Sequence, residues 1–203
     1  DRTPAYNNKL LGSAYLNIDI LKGFTFKTIG SYMISSYDGS AFSLANTRTL
    51  TGSPKNSFWL SQSQNNSINW ESYFTYNWKN AVNDVTIMAG YSQSDEWGHW
   101  VNASAKDFLS DSYRQISLTS DQTSKTGDGG YNLTVRYMSF YGRLIYSLKD
   151  RYIFTGTVRR DGSSNFGVGK RWGVFPSAAL AWRLSEEEFI KNLDVFSNLK
   201  LRL

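Results

Sequence analysis

Hydrophobic and polar residues alternate along several stretches of this chain, and that alternation predicts β-strands. In Ile68–Lys79, Ile68, Trp70, Phe74, Tyr76 and Trp78 share one side with Ser72, while Asn69, Glu71, Tyr73, Thr75, Asn77 and Lys79 share the other. Successive side chains of a strand point to opposite sides, so such a segment has one apolar and one polar face. Two more strands are read between Tyr146 and Arg183. In the first, Tyr152, Phe154 and Val158 lie with Gly156 opposite Arg151, Thr155, Thr157 and Arg159, with Ile153 as one apolar interruption. In the second, Val174, Pro176, Ala178, Leu180 and Trp182 lie opposite Phe175, Ser177, Ala179, Ala181 and Arg183. Leu10–Ile20, Phe24–Met33 and the segment around Val85–Ser92 alternate as well. So does Tyr131–Leu148, where the apolar parity changes near Met138 and predicts a bulge. Asn198–Leu203 alternates again.

The connections follow a second pattern. Lys22-Gly23, Asn80–Asn83 and Lys149-Asp150 read as tight turns. Ser35–Asn65 and Gln93–Gly130 are rich in Ser, Asn, Gln and Gly and read as long loops, with a medium loop at Asp161–Lys170. After Arg183, Ser185 and Glu188 have the spacing of a capping box and predict a short helix over Glu186–Asn192. Every second connection is short and those between are long, as in up-and-down outer-membrane barrels. About eight strands would permit closure of a small barrel. The last one, however, breaks off after about six residues, short of the ~9–11 that cross a bilayer. The expected fold is therefore all-β: an antiparallel up-and-down transmembrane β-barrel segment, part of a larger barrel, with one short periplasmic helix. Residues 1–203 form one partial barrel domain on this reading, and Asp1-Arg-Thr-Pro4 reads as the interior of a longer chain. Trp70, Phe74, Trp78, Phe154 and Leu180 would then meet hydrocarbon. Glu71, Tyr73, Arg143, Arg151, Arg159 and Arg183 would face the lumen. The competing architecture is a soluble, glycan-binding β-sandwich, in which the same apolar faces are core; a passive porin is a third.

Composition narrows the function classes. The 203 residues are 40% hydrophobic, 16% aromatic and 19% charged, with a net charge of +5 from scattered basic residues, which gives no nucleic-acid footprint. No apolar run approaches the roughly 18–20 residues of a spanning helix, which excludes helical membrane proteins but not barrels. With Cys 0 and His99 as the single histidine, cysteine–histidine chemistry and metal clusters are closed, and no catalytic set or cofactor motif is present. Gly167–Gly173 (GVGKRWG) lacks phosphate-loop spacing and reads as a hairpin loop. Glu186–Glu188 is explained by helix-start charge. Asn65, Asn102 and Asn132 each begin a match to a glycosylation sequon, which on the outer-membrane barrel reading is a chance match. Trp59, Trp97, His99 and Trp100 are candidate ligand contacts: flat aromatic faces pack on the C–H faces of sugar rings, although the same rings can pack loop against loop. The lumenal arginines have two readings, a ladder paired with carboxylates or direct contact with cargo.

KDRYIFTGTVRRDGSSNFG (Lys149–Gly167), RWGVFPSAALAWRLSEEEFIKN (Arg171–Asn192) and FSNLKLR (Phe196–Arg202) together resemble the C-terminal barrel half of SusC/RagA-type TonB-dependent outer-membrane transporters of Bacteroidetes. Asn7–Thr28 and Phe140–Tyr152 are similar to that barrel too, so the resemblance covers most of the chain outside the long polar stretches. It implies a plugged barrel of roughly 22 strands in the outer membrane. It also implies coupling to the TonB–ExbB–ExbD system through an N-terminal plug that this chain does not contain. A SusD-like surface lipoprotein would cover the mouth. The cargo would be an oligosaccharide or a peptide, imported without covalent chemistry.

Overall fold

The computed structural model describes residues 5–45, 55–192 and 195–203. Eight strands follow one another: β1 (Ala5–Leu21), β2 (Phe24–Ser43), β3 (Ser57–Lys79), β4 (Asn83–Lys106), β5 (Thr126–Leu148), β6 (Tyr152–Ser163), β7 (Trp172–Arg183) and β8 (Lys200–Arg202). They form a single sheet in sequence order, β1 at one edge and β8 at the other. The described ladders, β5–β6, β6–β7 and β7–β8, are antiparallel. This is the up-and-down order expected from the alternation. Among the described residues there is no second sheet to make a sandwich.

The expected long loops are mostly strand. Ser35–Ser43 and Ser57–Asn65 extend β2 and β3, while Gln93–Lys106 and Thr126–Gly130 extend β4 and β5. Residues 46–54 lie outside the described residues. These extensions carry Ser, Asn, Gln and Gly on both sides, so they have no period-2 signature, yet backbone pairing still holds them. The alternation of short and long connections survives, with turns at 22–23, 80–82 and 149–151 and longer links at 44–56, 107–125 and 164–171.

The tight turns have specific causes. Gly23 sits at φ 77°, and a Cβ there would collide with the Asn77 carbonyl oxygen. Asn80 closes the next turn itself, its Oδ1 accepting from the Val82 and Asn83 amides at 2.9 and 2.7 Å. Lys149 and Asp150 occupy the left-handed region at φ 52° and 53°, and the Arg151 amide donates to the Leu148 carbonyl at 3.0 Å. That is the two-residue hairpin turn whose twist suits antiparallel strands.

Two other expectations are corrected. The β5–β6 ladder is unbroken from Tyr137↔Ser163 to Leu148↔Tyr152, so no bulge interrupts it at Met138. The parity shift lies further up β5: Arg136 bonds Asp95 and Tyr131 meets His99, both at odd positions of β4. The capping box does not form either. Beyond a 3-10 turn at Leu184–Glu186, the helix α1 spans Glu188–Lys191 alone, and no side chain caps it. The Ser185 amide instead donates to the Leu199 carbonyl at 3.1 Å, and Glu186 pairs with Lys191 at 2.8 Å.

The chain divides into two compact units. One comprises Asp1–Gly12, Tyr32–Ser67 and Glu96–Thr134; the other comprises Ser13–Ser31, Ile68–Asp95 and Val135–Leu203. The first holds the buried apolar cluster, Phe42, Phe58, Ala105 and Phe108, with Leu60 and Ile116 packed against it. There Lys55 bridges Asp107 and Asp121 at 3.1 and 3.3 Å. In the second unit the large apolar side chains stay uncovered on one face.

Candidate functional site

The second unit has two contrasting faces. Register places Tyr152 opposite Trp182, Phe154 opposite Leu180, Val158 opposite Pro176 and Arg160 opposite Val174. Across β5, Tyr146 faces Phe154, Leu144 faces Gly156 and Phe140 faces Arg160. On β2 and β3, Phe24 and Phe26 pack on Phe74 with ring centroids 5.6 and 4.8 Å apart. These side chains are exposed rather than sealed: Trp70 is 52%, Phe74 44%, Trp78 44% and Leu180 57% accessible. Tyr152 and Trp182 stack at the lower end, with centroids 6.1 Å apart. Phe140 and Trp172 meet at the upper end, 6.0 Å apart. Between them run Leu144, Gly156, Val158, Pro176, Ala178 and Leu180. From Tyr152 to Gly162 is ~33 Å along the strand, or ~25 Å along the normal at a tilt of ~40°, the height of the apolar band of a membrane barrel.

The opposite face carries a chain of polar groups. The Tyr141 hydroxyl donates to Glu71 Oε1 at 2.7 Å, reaching from β5 to β3 across β4. Gly90 lets the ring pass, because a Cβ there would lie 2.5 Å from Tyr141 Cζ. The Arg159 guanidinium lies 5.9 Å from the Tyr141 ring centre. Its Nε donates to Asp161 Oδ1 at 2.6 Å and its Nη2 to Ser139 Oγ at 3.0 Å. Asn69, Glu71, Ser92, Ser94, Ser139 and Arg159 line a cleft of about 400 Å³ on this side.

Glu71 and Arg159 thus share one neighbourhood with Tyr141, and Tyr73 lies on the Glu71 face of β3 by alternation. Arg143 lies opposite Thr157 and is exposed, with no carboxylate partner among the described residues. Arg151 does not join the cluster. Its Nη1 donates to Glu187 Oε2 at 2.9 Å, and the Glu187 Oε1 accepts from the Tyr152 hydroxyl at 2.8 Å and Trp182 Nε1 at 3.0 Å. Those bonds, led by the Trp182 indole, hold the Glu187 carboxyl below the usual glutamate range. Arg183 sits beside Arg151, donating its amide to the Arg151 carbonyl at 2.8 Å.

The aromatic candidates belong to the other unit and do not converge on one spot. Trp97 and His99 share a face of β4, Trp97 tilted on Tyr32 at 6.2 Å and His99 on Tyr131 at 5.8 Å. Trp100 takes the opposite face, against Gly130. Trp59 is half-buried on β3. The sequence reading did not single out Tyr141, Ser139, Asp161 or Gly90. Only Gly90 left a signal there, since a glycine inside a strand marks a close approach.

Chemically, the polar face offers hydroxyl, amide, carboxylate and guanidinium groups for hydrogen bonding, without a nucleophile–base pair. No group of metal-ligating side chains occurs among the described residues.

No protein-family model matches the chain. It is 39% identical to the TonB-dependent receptor SusC of Bacteroides thetaiotaomicron over 68% of its own length and 13% of that protein. It is 29% identical to the TonB-dependent receptor P39 of Formosa agariphila over 93% of its length and 18% of that protein. Among solved structures, the RagAB peptide importer in its "open-open" state superimposes with a TM-score of 0.84 at 22% identity. That match covers 98% of this chain and 22% of the other. The likeness settles the fold as an open, eight-stranded segment of a larger up-and-down barrel. The chain spans about a fifth or less of each of these relatives.

Proposed function

We propose, from the premise that this chain belongs to the SusC/RagA type of TonB-dependent receptors, that it builds part of the wall of an outer-membrane nutrient importer. One observation carries the reading. A single sheet leaves an apolar face uncovered for about 25 Å and edges it with aromatic rings at both ends, which is the geometry a lipid band requires. A water-soluble sandwich would bury Trp70, Phe74 and Leu180 instead.

On this reading the Glu71–Tyr141–Arg159 face lines the lumen. Glu71, Tyr73, Arg143, Arg159 and Arg183 set its polarity, and Arg151 anchors the wall at its periplasmic end. Tyr141 ties three strands together, so the wall keeps its curvature while a plug moves. The cargo is an oligosaccharide or a peptide, both dense in hydroxyl or amide groups that such a surface binds weakly and releases. Trp59, Trp97, His99 and Trp100 contact cargo or a SusD-like lipoprotein at the mouth. Energy comes from TonB–ExbB–ExbD acting on a plug contributed by the rest of the receptor.

Cysteine labelling on intact cells tests the topology. Ser112→Cys is expected to react with a membrane-impermeant maleimide, and Lys22→Cys and Asp150→Cys to react only after the outer membrane is opened. Labelling of the two turns alone on intact cells would defeat the orientation. Uptake of a radiolabelled oligosaccharide, competed by peptides, then separates the two cargo classes.

A further inference from the structure

At the upper end of the apolar face, around Trp172, the lipid-facing pattern gives way to positive charge. Arg160 lies on the same side as Phe154 and Val158 by alternation, and its guanidinium sits 4.8 Å from the Trp172 ring centre. Among the described residues it has no carboxylate partner. The same Trp172 lines a cleft of about 170 Å³ together with Arg136, Met138, Ser163, Ser164 and Arg171. Arg171 spends one N–H on the Phe166 carbonyl at 3.1 Å and, among the described residues, meets no acid. Arg136 is paired to Asp95 at 2.7 Å, which leaves that carboxylate neutralised. The other acid in this stretch, Asp161, pairs with Arg159 on the opposite face.

We propose that this cleft holds a phosphate group on the headgroup of an outer-leaflet glycolipid, bound by Arg160 and Arg171 with Trp172 as the interfacial anchor. The inference rests on the membrane reading above. Height selects the source of the phosphate: Arg160 and Trp172 end the ~25 Å apolar band, where acyl chains give way to charged headgroups. Chemistry selects the anion. Two unpaired guanidiniums beside the Ser163 and Ser164 hydroxyls suit phosphate oxygens, which accept forked, charge-assisted hydrogen bonds. Trp172 prefers the interface and presents its face to Arg160, which keeps that guanidinium at the band edge rather than in water.

The test uses the full-length receptor in phosphatidylcholine nanodiscs containing either bis-phosphorylated lipid A or its phosphate-free form, with retained lipid counted by native mass spectrometry. Wild type is expected to retain the phosphorylated form at least about tenfold better, and Arg160→Gln/Arg171→Gln to abolish that preference. Lys200→Gln, opposite Arg183 at the other end of β7, is expected to leave it unchanged. Arg160→Lys/Arg171→Lys is expected to keep most of it, and heat-modifiability on gels confirms that each variant is folded. Equal retention of both lipids by wild type, or an undiminished preference in the folded double glutamine variant, overturns the proposal. A fluorophore on Val158→Cys, quenched by brominated acyl chains, separates the two levels. Quenching without phosphate preference sinks the inference alone, and no quenching sinks the membrane reading beneath it.

Discussion

Tyr141 shows how one side chain organises a wall. Its ring crosses the gap over Gly90, its hydroxyl reaches Glu71, and Arg159 approaches its face. Removing only the hydroxyl, in Tyr141→Phe, should lower stability by about 1 kcal/mol, the net worth of one such bond. Filling the space beneath should cost more. Gly90→Ala puts a methyl 2.5 Å from the ring, and overpacking of this kind costs about 1–3 kcal/mol. Both are measured as denaturant midpoints of the solubilised receptor. In a Tyr141→Ala background the same Gly90→Ala change should become nearly neutral, because the obstructing ring is gone; an undiminished cost would place the constraint elsewhere. The partners Glu71 and Tyr141 are 70 positions apart. Alternation assigns each to the polar face, but their meeting needs the register of three strands, which no local pattern encodes.

At the scale of elements, strand existence and strand length were legible to different degrees. Period-2 patterning reports a contrast between an apolar and a polar face, so it is clear in Ile68–Lys79 and absent in the Gln62–Asn66 part of the same strand, where polar side chains occupy both faces. The capping box failed for another reason: the Ser185 amide went to the Leu199 carbonyl, while Glu187, the residue between the box's two ends, was drawn to Trp182, Tyr152 and Arg151. That clamp carries a pH signature. Its carboxyl is held below the ordinary range, so its contribution is complete above the usual glutamate pKa of about 4.3. It disappears as the pH falls through the lowered folded value. The melting temperature of wild type should therefore exceed that of Glu187→Gln by a constant margin above pH 5, and the margin should shrink progressively as the pH falls below the usual glutamate pKa. The Lys149-Asp150 turn predicts the opposite sign of change. Both residues hold left-handed backbone, so replacing them with Asn-Gly should raise stability by about 0.5–1 kcal/mol. A loss instead would mean that the lysine or aspartate side chain matters more than the turn.

For the whole molecule, the decisive quantity is which face meets hydrocarbon, because alternation along the sequence suits a sandwich and a barrel alike and only the solvent on each face separates their energetics. Leu144 and Thr155 make the comparison sharp. They lie on adjacent strands at nearly the same height, Leu144 opposite Gly156 and Thr155 opposite Ile145, but point to opposite faces. An arginine at position 144 would be placed near the middle of the apolar band, where the cost is about 2–4 kcal/mol. An arginine at position 155 would join a face that already carries Arg143 and Arg159, with water to solvate it, and should cost well under 1 kcal/mol. Folding of the full-length receptor into phosphatidylcholine vesicles, titrated with guanidinium chloride, measures both. A large penalty for Leu144→Arg with a small one for Thr155→Arg fits a lipid-facing surface. A soluble fold would need Leu144 covered by protein, and its penalty would then persist in detergent-free buffer, where a barrel segment has no folded state to destabilise.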